Sequence, residues 1–126
     1  HLDKVIKPSL EEGKIVITDR YIDSTYAYQG AGRGIHKNII DNLVSQTEIL
    51  LPDRTILLDL RPEVGLKRAS TRNELDRFES ENIDFHERLR KSFLDAAVAN
   101  PDRFLTVDAE QEPNKILQSV INKLFK

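Results

Sequence analysis

Apolar side chains recur along this chain in two rhythms. Leu2, Val5, Ile6 and Leu10 have helical spacing, with Pro8 expected to kink the segment and Gly13 to end it. The run Lys14–Thr18, KIVIT, is short, β-branched and apolar, and predicts a buried strand. A helix is expected from about Asp23-Ser24, since either residue can cap. Glycines 30, 32 and 34 then predict a loop. Ile39, Ile40, Leu43, Val44 and Thr47 form the next helical face. Arg54–Leu60, RTILLDL, predicts a second strand after the turn Pro52-Asp53, and Pro62 stands where a helix can start. Lys67 to Glu81 is mostly polar and reads as an exposed, mobile segment. Ile83, His86, Leu89, Phe93 and Ala97 mark another helix, closed by Asn100-Pro101. Arg103–Asp108, RFLTVD, predicts the third strand, and Glu112–Phe125 a final amphipathic helix.

The resulting order is α-β-α-β-α-β-α. Strands alternating with helices imply an α/β fold with a parallel sheet covered on both faces. The sequence shows no repeat, low-complexity tract or linker, so one domain is expected over its 126 residues.

Composition narrows the classes of function. The net charge is −2 and charged residues make up 32% of the chain, with mean hydropathy −0.46 and pI about 5.9. That balance argues against a nucleic-acid binder, which is usually basic. There is no cysteine, which excludes disulfides and thiolate metal sites. No run approaches ~18 apolar residues, so no membrane-spanning helix is expected. The chain has no methionine and starts His1-Leu2-Asp3, which reads as the interior of something longer.

Open parallel sheets bind ligands beyond the carboxyl ends of their strands. Asp19-Arg20 is expected at such an end. Arginine offers a planar fork of donors suited to phosphate, and the aspartate can pair with it or receive a metal ion or its waters. A salt bridge capping the strand is the plain alternative. Just beyond, Thr25, Tyr28 and Gln29 are spaced i, i+3 and i+4, which on an α-helix puts a hydroxyl, a ring and a carboxamide on one face. A carboxamide both donates and accepts, so it can read a base edge. Alternatively Tyr28 is core and Gln29 solvated. The stretch GAGRG, 30–34, follows no strand directly and lacks the Lys-Ser/Thr of a phosphate loop, so tight turns explain it better. Indeed no Gly-x4-Gly-Lys-Ser/Thr occurs anywhere in the chain. Lys67, Arg68, Arg72 and Arg77 could supply the mobile positive charge that phosphoryl transfer needs, or simply form a solvated helix with pairs such as Arg72–Asp76. His1, His36 and His86 share no metal-ligand spacing and read as surface or packing residues.

The stretches DRYIDSTYAYQGAGRGI, PDRTILLDLRPEVGLKR and RNELDRFESENIDFHERLR, in this order, resemble the thymidylate kinase family, in the bacterial form with basic lid residues. The likeness runs over nearly the whole chain. It implies phosphorylation of dTMP to dTDP with ATP and Mg2+. In that resemblance Arg20 binds the dTMP phosphate and steadies it during transfer, and Asp19 sits near the magnesium and its waters. Thr25 and Gln29 match positions that contact thymine, and Tyr28 matches an aromatic that packs on the deoxyribose and leaves no room for a 2′-hydroxyl. Arg68 and Arg72 lie in the lid. Arg72 matches the arginine that reaches the ATP phosphates, and Arg77 shares that work or braces the lid. Family members are generally cytoplasmic homodimers.

The resemblance further implies the three-layer P-loop nucleoside-monophosphate-kinase fold, with a parallel sheet of order 2-3-1-4-5. Here it would be incomplete: residues 1–126 would be the C-terminal portion of one kinase domain, with a dTMP-binding segment at about 15–34 and a lid at about 67–81. The phosphate loop, strands 1 and 2, the Glu-Pro-Gly-Gly stretch and an arginine-rich helix end are missing. Without strand 1 between strands 3 and 4, the native sheet is not expected to form from these residues alone, because buried backbone groups lose partners. The chain by itself is then expected to be inactive. A related deoxynucleoside or nucleoside monophosphate kinase, a non-catalytic nucleotide-binding fragment, and a fragment self-associating through open strand edges are the alternatives.

Overall fold

A computed structural model of the chain describes residues 2–46, 49–71 and 82–125. Two strands, β1 (Thr55–Asp59) and β2 (Phe104–Asp108), pair in parallel, with Thr55 opposite Phe104 and Asp59 opposite Asp108. Each lies within one of the predicted strands. A parallel pair needs a long crossover, and here it includes the helices labelled α4 (Pro62–Thr71) and α5 (Ile83–Ala99). Pro62 opens its helix as the sequence predicts. Asn82 starts α5 by accepting the Phe85 amide at 3.0 Å on its side chain, an N-cap interaction. Beyond β2, α6 (Pro113–Leu124) returns along the strand, and Lys123 Nζ donates to the Thr106 carbonyl at 2.8 Å. Phe104, Val107 and Ala109 are buried on and just after β2.

The first part of the chain is helical. A π-helical turn, Leu2–Ile6, leads into α1 (Lys7–Glu11), with Pro8 near the junction where it removes a backbone donor. Gly13 has φ +80 and ends the helix. Its amide reaches the Leu10 carbonyl and the Lys14 amide reaches the Ser9 carbonyl, the paired bonds of a Schellman stop.

The first predicted strand is not formed. Lys14–Thr18 carries no strand pairing among the described residues, and Ile15 and Ile17 are 83% and 90% exposed. An apolar run of this kind is stable as a strand when neighbours satisfy both its edges and helices cover its faces. The sheet among the described residues holds only β1 and β2, and the run pairs with neither.

The glycine loop also differs from expectation. Helix α2 (Ile22–Thr25) continues without a break into a π-helical stretch, Tyr26–Gly32, so Gly30 and Gly32 lie inside a helix. Close packing is the reason. A Cβ on Gly32 would stand 2.8 Å from Phe85 Cε2 and 3.0 Å from Leu89 Cδ2, both on α5. Here Ala27, Phe85 and Leu89 form a buried cluster, flanked by Tyr28 and Phe93. The chain leaves the helix at Gly34, with φ +81, and enters α3 (Lys37–Ser45). His36, read from sequence as a surface or packing residue, caps α3 by accepting the Asn38 amide on Nδ1. Thr47 lies outside the described residues. Tyr26 ties the two helices together by donating its hydroxyl to Asp41, which pushes the phenol up to about 12.

Gly32→Val is expected to cost ~1–3 kcal/mol, because the added methyls must displace the Phe85 ring or Leu89. Urea denaturation of the variant would read this as a lower midpoint; an unchanged midpoint would rule out the close helix contact.

Candidate functional site

Arg20 follows the unpaired run Lys14–Thr18 after one residue, Asp19. Its φ is +61, and among the described residues it is the one non-glycine residue with positive φ. A left-handed backbone costs an ordinary residue roughly 1–2 kcal/mol, so such a residue persists where its surroundings dictate it, often at functional sites. The Arg20 guanidinium carbon lies 5.0 Å from the centre of the Tyr28 ring, within cation–π range. Tyr28 is half-buried and meets Phe85 edge-on, with ring centres 6.2 Å apart. The ring is therefore anchored on the buried cluster and also carries Arg20. Tyr28 packs on the core cluster, as one of its two sequence readings has it, and Arg20 stands over its ring.

Thr25 and Gln29 are exposed on the same continuous helix. The α-helical rule that put them on one face with Tyr28 does not apply unchanged, because i→i+5 bonding from Tyr26 onward alters which residues line up. Tyr28 turns toward α5, while Thr25 and Gln29 keep solvent-facing positions. Asp19 is exposed beside Arg20. The argument that placed Asp19-Arg20 at a strand's carboxyl end needs the Lys14–Thr18 strand, which is absent here.

Arg68, expected in the lid, lies in the last turns of α4. Its Nη2 donates to the Glu110 carbonyl at 2.9 Å and its Nη1 to the Ala109 carbonyl, so it grips the turn after β2. Arg72 and Arg77 lie outside the described residues, as does the 72–81 portion of the predicted lid.

Three further arginines were not singled out in the sequence. Arg61 forms a bidentate pair with Glu110, and Arg90 forms one with Asp59. Arg103 pairs with Asp23 in a sheltered position. The strand-terminal aspartates Asp59 and Asp108 are visible in the sequence, but the arginine that grips Asp59 is 31 residues away. No local pattern names that partner. Arg88 is a fourth case: it donates to the carbonyls of Ala31 and Gly32 and so satisfies the end of the π-helical stretch.

Among the described residues no group of three or more His, Cys, Asp or Glu side chains could hold a metal ion. Asp19 supplies a single carboxylate. That suits a magnesium ion that arrives on substrate phosphates and keeps most of its waters, and does not suit a dedicated protein cage. Chemically, the Arg20–Tyr28 unit offers a cation and an aromatic face together, a combination suited to an anionic ligand carrying a flat or sugar group.

The comparisons with known proteins bear on this geometry. Residues 1–120 match the family described as Thymidylate kinase. A thymidylate kinase of Maridesulfovibrio salexigens is 44% identical over all of this chain and 62% of its own length. One of Pseudomonas fluorescens, strain Pf-5, is 48% identical over 95% of the chain and 58% of its own length. The crystal structure of thymidylate kinase from Ehrlichia chaffeensis superposes with a TM-score of 0.75 at 35% identity, covering all of this chain and 57% of that one. The chain thus spans about three fifths of the length of the curated relatives it matches.

The Arg61 guanidinium beside Glu110 pulls that carboxyl down to about 2, from an ordinary value of 4.5. The folded value lies below the unfolded one, so the pair's stabilisation is present above about pH 4.5 and is lost as pH falls toward 2. Glu110→Gln is therefore expected to lower the urea midpoint near pH 6, and the gap to the parent should close in acid. A gap that is the same at both pH values would show that the ion pair does not carry the effect.

Proposed function

The chain belongs to the thymidylate kinase family, and we propose that the whole protein phosphorylates dTMP to dTDP with ATP and Mg2+. The observation that carries this reading is the Arg20–Tyr28 unit: a left-handed arginine held over an aromatic ring that is itself fixed on the buried cluster. Arg20 binds the acceptor phosphate and steadies it during transfer. The acceptor is already a phosphate, so no covalent intermediate and no strong general base are needed, and position and charge supply the catalysis. Tyr28 packs against the deoxyribose and excludes a 2′-hydroxyl, while the exposed side chains of Thr25 and Gln29 meet the thymine edge. Arg72 reaches the ATP phosphates and Arg77 assists or braces the lid. Arg68, gripping the turn after β2, steadies the lid's base. Magnesium neutralises phosphate charge when bound, and Asp19 orients its waters. The family reading adds a cytoplasmic homodimer.

Two features of these 126 residues bear on activity. They contain no Gly-x4-Gly-Lys-Ser/Thr, so alone they lack the backbone cradle for the ATP phosphates and are expected not to turn over. In the sheet order 2-3-1-4-5, Lys14–Thr18 would be strand 3, and β1 and β2 would be strands 4 and 5. Only the last two of these are adjacent, which accounts for one formed pair and one unpaired run. The rival reading is a binding module that takes dTMP without phosphorylating it. An assay of the whole protein with dTMP and ATP, set beside dCMP, dGMP and thymidine as acceptors, separates the readings: selective dTDP formation supports the kinase, and binding without product supports the module.

Within that assay Arg20→Ala is expected to lower kcat/KM at least ~100-fold, as the loss of a charged contact to the reacting phosphate. Near-normal turnover would remove Arg20 from the mechanism. Tyr28→Ala is expected to narrow the preference for dTMP over its ribose counterpart, read as the ratio of the two kcat/KM values; an unchanged ratio would count against the steric gate.

A further inference from the structure

Asp23 and Arg103 form a sheltered, bidentate ion pair between residues 80 positions apart in sequence. Nη1 meets Oδ2 at 2.9 Å and Nη2 meets Oδ1 at 3.2 Å, with the two side chains only 16% and 17% exposed. Arg103 is itself fixed to the sheet. Its Nη1 also donates to Thr55 Oγ1 at 2.8 Å, its carbonyl accepts the Thr55 amide, and its guanidinium lies 4.7 Å from the centre of the Phe104 ring. Through Asp23, then, the entry of both strands holds the start of α2.

That start needs holding. Arg20 has a left-handed backbone that other residues avoid. The run before it has no strand pairing to fix it. The helix after it, α2, runs on into the π-helical stretch, but Tyr21 at its N-cap makes no side-chain capping hydrogen bond. Neither the local sequence nor the local ladder determines where Arg20 points. Thr18 Oγ1 donates to the Arg20 carbonyl at 3.4 Å within the turn, and downstream the Tyr28 ring lies under the guanidinium while Asp23, three residues on, is clamped to the sheet.

We propose that Asp23 and Arg103 are positioning residues for Arg20: their ion pair holds the Asp19–Ile22 turn in its strained form and so presents Arg20 to the acceptor phosphate. The proposal rests on the dTMP kinase reading for its consequence, and on the geometry alone for the clamp. A purely architectural pair would lower stability without a substrate-specific effect. A positioning pair acts on the dTMP side and leaves the ATP side alone.

The test uses the whole protein with Asp23→Asn, which keeps shape and one acceptor but removes the charge. Steady-state kinetics are measured well below the variant's melting temperature, varying dTMP at saturating ATP and then the reverse. The expected result is about a tenfold loss in kcat/KM for dTMP, on the scale of one charge-assisted bidentate contact, with KM for ATP within about twofold of the parent. Arg103→Lys keeps the charge and loses the fork, so it should reproduce the effect, and it serves in place of Asp23→Asn should that variant not fold. Combining the two should cost no more than the worse single change. Hydrogen exchange of the peptide spanning Thr18–Ile22 should quicken, while that of α5 stays as in the parent. A lower melting temperature with unchanged dTMP kinetics and unchanged exchange at Thr18–Ile22 would overturn the proposal. If the parent itself makes no dTDP, the kinase reading fails, and the exchange measurement still decides the clamp.

Discussion

The arrangement of the site depends on how closely the helix Ile22–Gly32 approaches α5. Gly32 permits that approach because it brings no side chain to the contact. Ala27, one of the most buried residues described, does the same about one π-helical turn earlier. With two small residues facing α5, Phe85 and Leu89 can fill the space between the helices, and Tyr28 can lie half on that cluster and half outside it. Arg20 then has a fixed surface to stand on. A larger residue at position 27 or 32 would push the helix outward and move the ring that supports the arginine, which links core packing to the proposed phosphate contact in one step.

The arginines divide by partner. Arg61, Arg90 and Arg103 meet carboxylates, and Arg68 and Arg88 meet main-chain carbonyls at the ends of elements. These contacts satisfy groups that would otherwise end a strand or helix without a partner. Arg20 is distinguished by its left-handed backbone, and like Arg103 it lies over an aromatic ring. Exposure grades the ion pairs as well. Arg61–Glu110 lies partly in solvent, where screening reduces its worth, while Arg103–Asp23 is sheltered and bidentate, with a third acceptor in Thr55. The sheltered pair is the better placed of the two to impose geometry.

Much of the fold was legible because periodicity is a local signal. The runs that became β1 and β2, the proline that opens α4, the glycine that closes α1 and the long helix of Ile83, Leu89 and Phe93 all declare themselves within a few residues. The same signal misled at KIVIT, since an apolar β-branched run states a preference for a sheet but cannot supply the neighbouring strand. It misled again at Gly30 and Gly32, where absence of a side chain served helix packing instead of a turn. Asp19, Arg20 and Tyr28 were singled out as candidates through residue chemistry. Asp23 and Arg103 were not, because an ion pair spanning 80 residues leaves no pattern in the sequence.

The unpaired run also has an energetic meaning. Ile15 and Ile17 are almost fully exposed, and on β1 Ile56 and Leu58 are 39% and 50% exposed. Thr55 and Asp59 direct their backbone groups toward β2; by the period of two, those of Ile56 and Leu58 face the opposite edge. In the proposed order a single strand would lie between Lys14–Thr18 and that edge, giving both ladders a partner, while helices would cover the faces that carry the four apolar side chains. One inserted strand would thus remove two separate deficits at once. It would also fix the run immediately before Arg20, so that the arginine would be held from both sides, by a strand upstream and by Asp23 downstream.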